Sequence, residues 1–177
     1  VGMMNISTVT SSWNKTKYDP YVNMLRTTTE SMSSIIGGTV THTVLPFNSI
    51  YDEPTEFSER IARNQQLLLK EESYLDKVVD PAAGSYYIEN LTNSLIEHAW
   101  ELFLKVEENG GFTESFRKGF IQKEIIDTAT NRDQSIASRK EILLGTNQYP
   151  NFSEVLDEKL IDKINHETQE TEFPILE

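Results

Sequence analysis

Apolar positions recur along this chain with two different periods. Between Asn5 and Thr10 polar and apolar residues alternate, the period-two signature of a short strand. A polar loop around Trp13 follows, from Ser11 to Lys17. Val22, Leu25, Thr29, Met32 and Ile36 then fall at helical spacing. Asp19-Pro20 ahead of them reads as a helix start, with Asp at the N-cap and Pro in the first turn. Gly37-Gly38 stops that helix, because glycine accepts a left-handed conformation at no steric cost. The β-branched, alternating run Thr39 to Leu45 predicts a second strand.

Pro46 to Pro54 is a proline-bounded loop. Thr55 is placed to cap a long helix with Phe57, Ile61, Leu68 and Leu75 along one face. Asp80 to Tyr87 is rich in turn residues. Leu91, Leu95, Ala99, Leu102 and Val106 mark another amphipathic helix, ended by Gly110-Gly111. Thr113 is read as the cap of a short helix before Gly119. Phe120 to Arg139 is read as a further helix with Ile121, Ile125, Ala129 and Ile136 inward. Glu141 to Gly145 predicts a third short strand, Ser153 to Ile164 a short helix, and Asn165 to Glu177 a frayed tail with few core-forming residues. Few strands among many helices predict a helix-rich α/β protein, and the shortage of strands suggests a piece of a larger parallel sheet or barrel.

Composition narrows the function classes. The chain has 177 residues and a net charge of -12, which argues against nucleic acid and against an anionic membrane as partners. An anionic ligand such as a CoA ester then requires a local basic patch. With no cysteine there is no disulfide, thiol nucleophile or cysteine-ligated metal, which fits a reducing, cytoplasmic compartment. No stretch approaches the roughly 20 apolar residues of a membrane span. Val1-Gly2-Met3-Met4 is neither a signal peptide nor an Arg-rich transit peptide, and a start on Val is expected of a piece of a longer chain.

Candidate chemistry is sparse. His42 lies in the second predicted strand; it reads either as a ligand contact at the mouth of a barrel or as a packed histidine with a satisfied hydrogen bond. His98 sits on a helix and His166 in the acidic tail, and the three are too far apart in sequence for common metal motifs. No nucleophile elbow, Walker loop or dinucleotide fingerprint occurs. Arg60 and Arg63 share a helix face and suit either a phosphate or the neighbouring Glu56 and Glu59.

The motifs taken in order go further. Thr10-Ser11-Ser12-Trp13 resembles a TSxW element, and Asp19 to Arg26 a DPYxNxxR segment, of methylmalonyl-CoA mutase barrels. Gly37-Gly38-Thr39, Leu45-Pro46-Phe47, Pro54-Thr55, Arg60-Ile61-Ala62-Arg63-Asn64, Glu71-Glu72-Ser73 and the run Asp80 to Glu89 follow in the family's order. Leu91-Thr92, Gly110-Gly111, Arg139-Lys140 and Tyr149-Pro150 complete it. The resemblance spans Ser7 to Asn151.

It implies the C-terminal part of a (β/α)8 TIM-type barrel, with linker helices leading out of it. Residues 1–150 would belong to the acyl-CoA-binding barrel domain and 151–177 to an acidic linker or tail. The family uses adenosylcobalamin to start radicals that interconvert methylmalonyl-CoA and succinyl-CoA. Catalytic members carry Gln-Ser where Val40-Thr41 stand, and a DEALGL-like run after the Phe whose Glu and Ala lie against cobalamin. Here Ser49 and Ile50 stand in that run, so no catalytic or cofactor-binding residue is expected, and Val40, Thr41, Ser49 and Ile50 are degenerate positions. His42 matches a family histidine in an SLHT-like stretch and is the one substrate-contact candidate. The substitutions resemble the small subunit of the heterodimeric bacterial enzymes, a structural partner of a catalytic large subunit. Self-association of the isolated piece is a further expectation, because a partial barrel has unpaired strand edges. The alternative is a catalytic acyl-CoA mutase subunit of altered specificity.

Overall fold

A strand, a helix and a second strand open the fold in a computed structural model of the chain, which describes residues 4–155. β1 (Ser7–Val9) and β2 (Thr41–Thr43) are parallel, with Ser7 opposite Thr41, Thr8 opposite His42 and Val9 opposite Thr43. Parallel neighbours need a crossover, and α1 (Val22–Ile36) supplies it. Both predicted strands form, shorter than the alternation suggests. Their ends are fastened beyond the ladder: the Val40 amide donates to Ile6 O at 2.9 Å, and the Leu45 amide donates to Thr10 Oγ1 at 2.9 Å.

Helix boundaries follow local chemistry. Gly38, at φ +84°, turns the chain out of α1 and into β2. The start of α1 differs from expectation. Asp19 has φ +47°, and Pro20-Tyr21 form a tight turn ahead of the helix, so Asp19 is a left-handed turn residue and not the N-cap. α2 (Glu56–Leu67) begins as predicted on Thr55. The Ser58 amide donates to Thr55 Oγ1 at 3.2 Å, and the Thr55 amide donates to Ser58 Oγ at 2.9 Å, a reciprocal capping box. Thr55→Ala is expected to lower stability by about 1 kcal/mol, read as a shift in the urea midpoint with unchanged slope. The helix continues as a π-helical turn, Leu68–Glu72, which leaves Leu75 outside it.

The described residues divide into two compact units, one of residues 4–82 with 144–155 and one of residues 83–143. In the first, Val44, Phe47, Ala62 and Leu69 are the buried apolar side chains. Phe47 is their aromatic centre, with ring centroids 5.8 Å from Tyr21 and 6.3 Å from Phe57. Much of the remaining interior is polar. α1 buries Asn23, Thr27 and Ser31, four residues apart on one face, while Leu25, Met32 and Ile36 of the predicted inward stripe are exposed. α2 buries Ser58, Ala62 and Gln65, with Leu69 in the turn beyond; Phe57 and Leu68 of the predicted face are exposed. Hydrogen-bonding side chains take the inner face of α1 and share that of α2 with Ala62 and Leu69.

The second unit is helical: α3 (Tyr86–Glu108), α4 (Gly111–Arg117) and α5 (Phe120–Ala137). α4 starts from Gly110 at φ +103°, so Thr113 lies inside the helix and does not cap it. Ser115 is fully buried and donates to Val106 O at 3.1 Å, joining α4 to α3. Neither α3 nor α5 buries any residue, although Leu95, Ile96, Trp100 and Phe103 of α3 are large and apolar. The inward face predicted for α5 is therefore only partly covered. The strand predicted at Glu141 to Gly145 is absent; Leu144 makes a single bridge to Gln148 around a turn through Gly145 at φ +76°. The helix predicted at Ser153 to Ile164 falls largely outside the described residues, as does the tail after it. Among the described residues no helix is long and apolar enough to cross a membrane.

Candidate functional site

His42 points from β2 into a set of side chains drawn from β1, α1 and α2. Its Nδ1 is 2.9 Å from Thr8 Oγ1 and its Nε2 is 2.9 Å from Ser31 Oγ. Ser31 donates to Thr27 O at 2.7 Å and accepts from Gln65 Nε2 at 2.9 Å. Gln65 in turn accepts from Thr27 Oγ1 at 3.0 Å. Thr8 Oγ1 also lies 2.6 Å from Ser34 Oγ and 3.0 Å from Thr39 Oγ1. Each ring nitrogen therefore already has a partner within the chain. Burial pulls the His42 imidazole below its ordinary pKa, against an opposing pull from Glu30, so the ring is neutral near pH 7.

A groove of about 580 Å³ opens beside this network, lined by Ile6, Val9, Thr10, Thr29, Glu30 and Ser33 among others. Its charged group is Glu30, which is engaged at its edge. Lys15 Nζ donates to it at 2.6 Å, Asn14 Nδ2 donates to the same oxygen, and the Ser11 amide donates to the other at 3.2 Å. Glu30 thus holds the loop that carries the TSxW-like element. The lining brings hydroxyls and a carboxylate but no free cation, which is poor chemistry for an anionic phosphate.

The DPYxNxxR-like segment builds a second cluster. Asn23 is fully buried. Its Oδ1 accepts from the Thr16 amide at 3.0 Å and from Arg26 Nη1 at 2.8 Å. Its Nδ2 donates to Thr16 O at 2.7 Å and to Phe47 O at 3.3 Å. Arg26 Nη2 donates to Leu144 O at 2.6 Å, and the Asp19 amide donates to the Glu154 carboxylate at 2.8 and 3.0 Å. The motif fastens the loop before α1, the loop after β2 and the later segment 144–154 to one another. Nearby Tyr51 has its phenol pushed up to about 12, chiefly by burial and then by Tyr21, Asp52 and Glu154.

The other positions singled out by sequence are not gathered into one site. Val40 is exposed at the entry to β2, and Thr41 is exposed with its Oγ1 donating to Ser7 Oγ at 2.7 Å. Ser49 is exposed and Ile50 half-buried in the turns that follow the far end of β2. His98 is exposed on α3, with Nδ1 2.7 Å from Ser94 O, and His166 lies outside the described residues. Arg60 and Arg63 make no ion pair among the described residues; Arg60 lies 5.8 Å over the Phe57 ring instead. Among the described residues no three His, Asp or Glu side chains are grouped to hold a metal ion. The polar stripe Asn23, Thr27 and Ser31 was missed from sequence, although its spacing of four residues was there to be read.

The family profile described as methylmalonyl-CoA mutase matches residues 2–173. The chain belongs to the methylmalonyl-CoA mutase family. It is 59% identical over 151 residues to a methylmalonyl-CoA mutase small subunit of Porphyromonas gingivalis, covering 85% of this chain and 24% of that protein. It is 40% identical over 146 residues to the small subunit of Streptomyces virginiae, covering 82% and 24%. A methylmalonyl-CoA mutase of Rhizobium meliloti is 42% identical over 147 residues, covering 83% and 21%. The chain thus spans at most about a quarter of the length of these mutase relatives, and it stands near the small subunits. The region matched includes the whole βαβ unit and the three helices after it.

Proposed function

We propose that this chain is the C-terminal part of the acyl-CoA-binding barrel domain of a small, non-catalytic mutase subunit. On this reading residues 1–150 belong to the barrel domain and 151–177 form an acidic linker. The observation that carries the reading is the state of His42. The one candidate substrate contact has both ring nitrogens bonded to hydroxyls of its own chain. Val40 and Thr41 add no amide where catalytic members have Gln-Ser, and Ser49 adds no carboxylate. Toward adenosylcobalamin, His42 has both ring nitrogens engaged, and His98 stands on an exposed helix face with Nδ1 2.7 Å from Ser94 O. No reaction step is assigned to this chain. Adenosylcobalamin and the isomerisation of methylmalonyl-CoA and succinyl-CoA belong, on this reading, to a complex with a catalytic large subunit in the cytoplasm.

The exposed apolar residues of α3 and the two-stranded sheet support a piece that completes its packing against the rest of the barrel or a partner subunit. Alone, it would self-associate through those surfaces. The alternative, a catalytic subunit of altered specificity, draws on the 42% identity to a protein named simply methylmalonyl-CoA mutase. Cobalamin content separates the two. The intact parent protein, purified without a partner and given excess adenosylcobalamin, is expected to retain none after gel filtration. Stoichiometric retention would establish the catalytic alternative.

A further inference from the structure

We propose that His42 is an acid-sensitive pin: neutral, it ties β1, α1 and α2 together through one directed chain of hydrogen bonds, and protonation reverses the Ser34–Thr8–His42 half of that chain and loosens α1 from the strand pair. The direction follows from counting protons. Ser31 has one hydroxyl proton, donated to Thr27 O at 2.7 Å, and its oxygen already accepts from Gln65 Nε2. The remaining lone pair faces His42 Nε2 at 2.9 Å, so Nε2 carries the ring proton. Neutral Nδ1 is then an acceptor and takes the Thr8 hydroxyl proton. With that proton committed, Thr8 Oγ1 accepts from Ser34 Oγ, 2.6 Å away. Every member has one role, and the roles run from Ser34 through Thr8, His42 and Ser31 to the backbone of α1.

A second ring proton arrives on Nδ1. Thr8 must then accept where it donated, and its own proton turns to Ser34 Oγ at 2.6 Å, Thr39 Oγ1 at 3.0 Å or the Thr41 carbonyl at 3.4 Å. The charge it brings is poorly met. On α1, Glu30 is the acid that acts on His42, and Lys15, Asn14 and the Ser11 amide already occupy it. Lys70 of the π-helical turn and Asp76 of the following loop share a 250 Å³ cavity with His42. Lys70 is paired with Glu71 at 3.5 Å, and Asp76 with Lys77 at 3.2 Å. β1 offers the hydroxyl of Thr8, and α2 offers the amides of Gln65 and Gln66. Burial acts in the same direction, since it disfavours the charged ring.

The sign follows from linkage. An unfolded histidine titrates near about 6.5, and folded His42 titrates lower. Between those values the unfolded state holds more protons, so stability falls as pH drops below about 6.5 and is level above it.

The test is hydrogen exchange read by mass spectrometry on the intact parent protein across a pH series. Exchange at the imidazole C2 position gives the His42 midpoint, and amide exchange in peptides covering residues 4–10 and 22–43 gives the loosening. The expected results are a His42 midpoint below about 6.5 and, after correction for intrinsic rates, faster amide exchange at about pH 5.5 than at about pH 7.5. His42→Gln, which cannot charge, is expected to abolish that pH dependence. If the variant does not fold, the two wild-type readings still decide. A His42 midpoint at or above about 6.5, or equal corrected exchange at both pH values, overturns the proposal.

Discussion

Asn23→Ala is expected to cost about 4 kcal/mol of folding stability, a large share of the roughly 5–15 kcal/mol that a domain has. The side chain is fully buried and joins four groups that have no easy substitute. Without it the Thr16 amide and carbonyl, the Phe47 carbonyl and one Arg26 contact lose their partner together. Thr16 is itself buried, so water reaches its backbone poorly, and an unpaired buried amide or carbonyl costs about 1–3 kcal/mol. Asn23→Asp separates the contributions. It keeps acceptors for the Thr16 amide and for Arg26, but it sets a carboxylate oxygen against two carbonyls. It is expected to be destabilising as well, with the damage confined to the Thr16 and Phe47 carbonyl side. Urea unfolding of the two variants gives the energies, and amide exchange at Thr16 locates them. A loss below about 1 kcal/mol for the alanine variant would mean that water enters and satisfies the site, and the polar-interior account of this unit would fail.

That interior explains what the sequence could and could not disclose. The strands were legible because alternation over Asn5 to Thr10 and Thr39 to Leu45 is a local signal, and the Thr55 and Gly37-Gly38 boundaries rest on residues a few positions apart. The inward face of α1 was not. The helix carries two stripes, one apolar through Leu25, Met32 and Ile36 and one polar through Asn23, Thr27 and Ser31. Periodicity finds both and cannot rank them. The polar stripe wins here because Thr16, Gln65 and His42, distant in sequence, arrive with matching donors and acceptors. The same distance hid Thr8 and Ser31 as the partners of His42. Family membership was legible for another reason: it rests on the order of many short motifs, and order survives whether or not each motif keeps its chemistry. The strand expected at Glu141 to Gly145 failed because an apolar run needs a neighbour to pair with; the run instead ends in a turn at Gly145.

That turn gives the second large effect. Gly145→Ala is expected to cost about 3 kcal/mol, combining a left-handed backbone forced on a side chain with a steric conflict. Gly145 has φ +76°, and a Cβ built there would lie 2.7 Å from Asp19 Cβ and 3.1 Å from Asp19 Oδ2. Asp19 cannot easily retreat. It is itself left-handed at φ +47°, its amide is held by Glu154, and its carbonyl receives the Val22 amide at the start of α1. The consequence should be local. The segment 144–154 is expected to lift from α1, breaking the Arg26 contact to Leu144 O and the Glu154 contact to the Asp19 amide, while β1, β2 and α2 keep their exchange protection. This differs from Asn23→Ala, which should weaken the whole unit. A second substitution checks the cause. Asp19→Gly removes the opposing Cβ and suits the positive φ, so it should restore most of the steric part of the loss in the Gly145→Ala background. Asp19→Ala keeps the Cβ and should restore little. Equal losses in all three backgrounds, measured by denaturant midpoint and by amide exchange over 144–154, would show that the contact with Asp19 does not hold this segment in place.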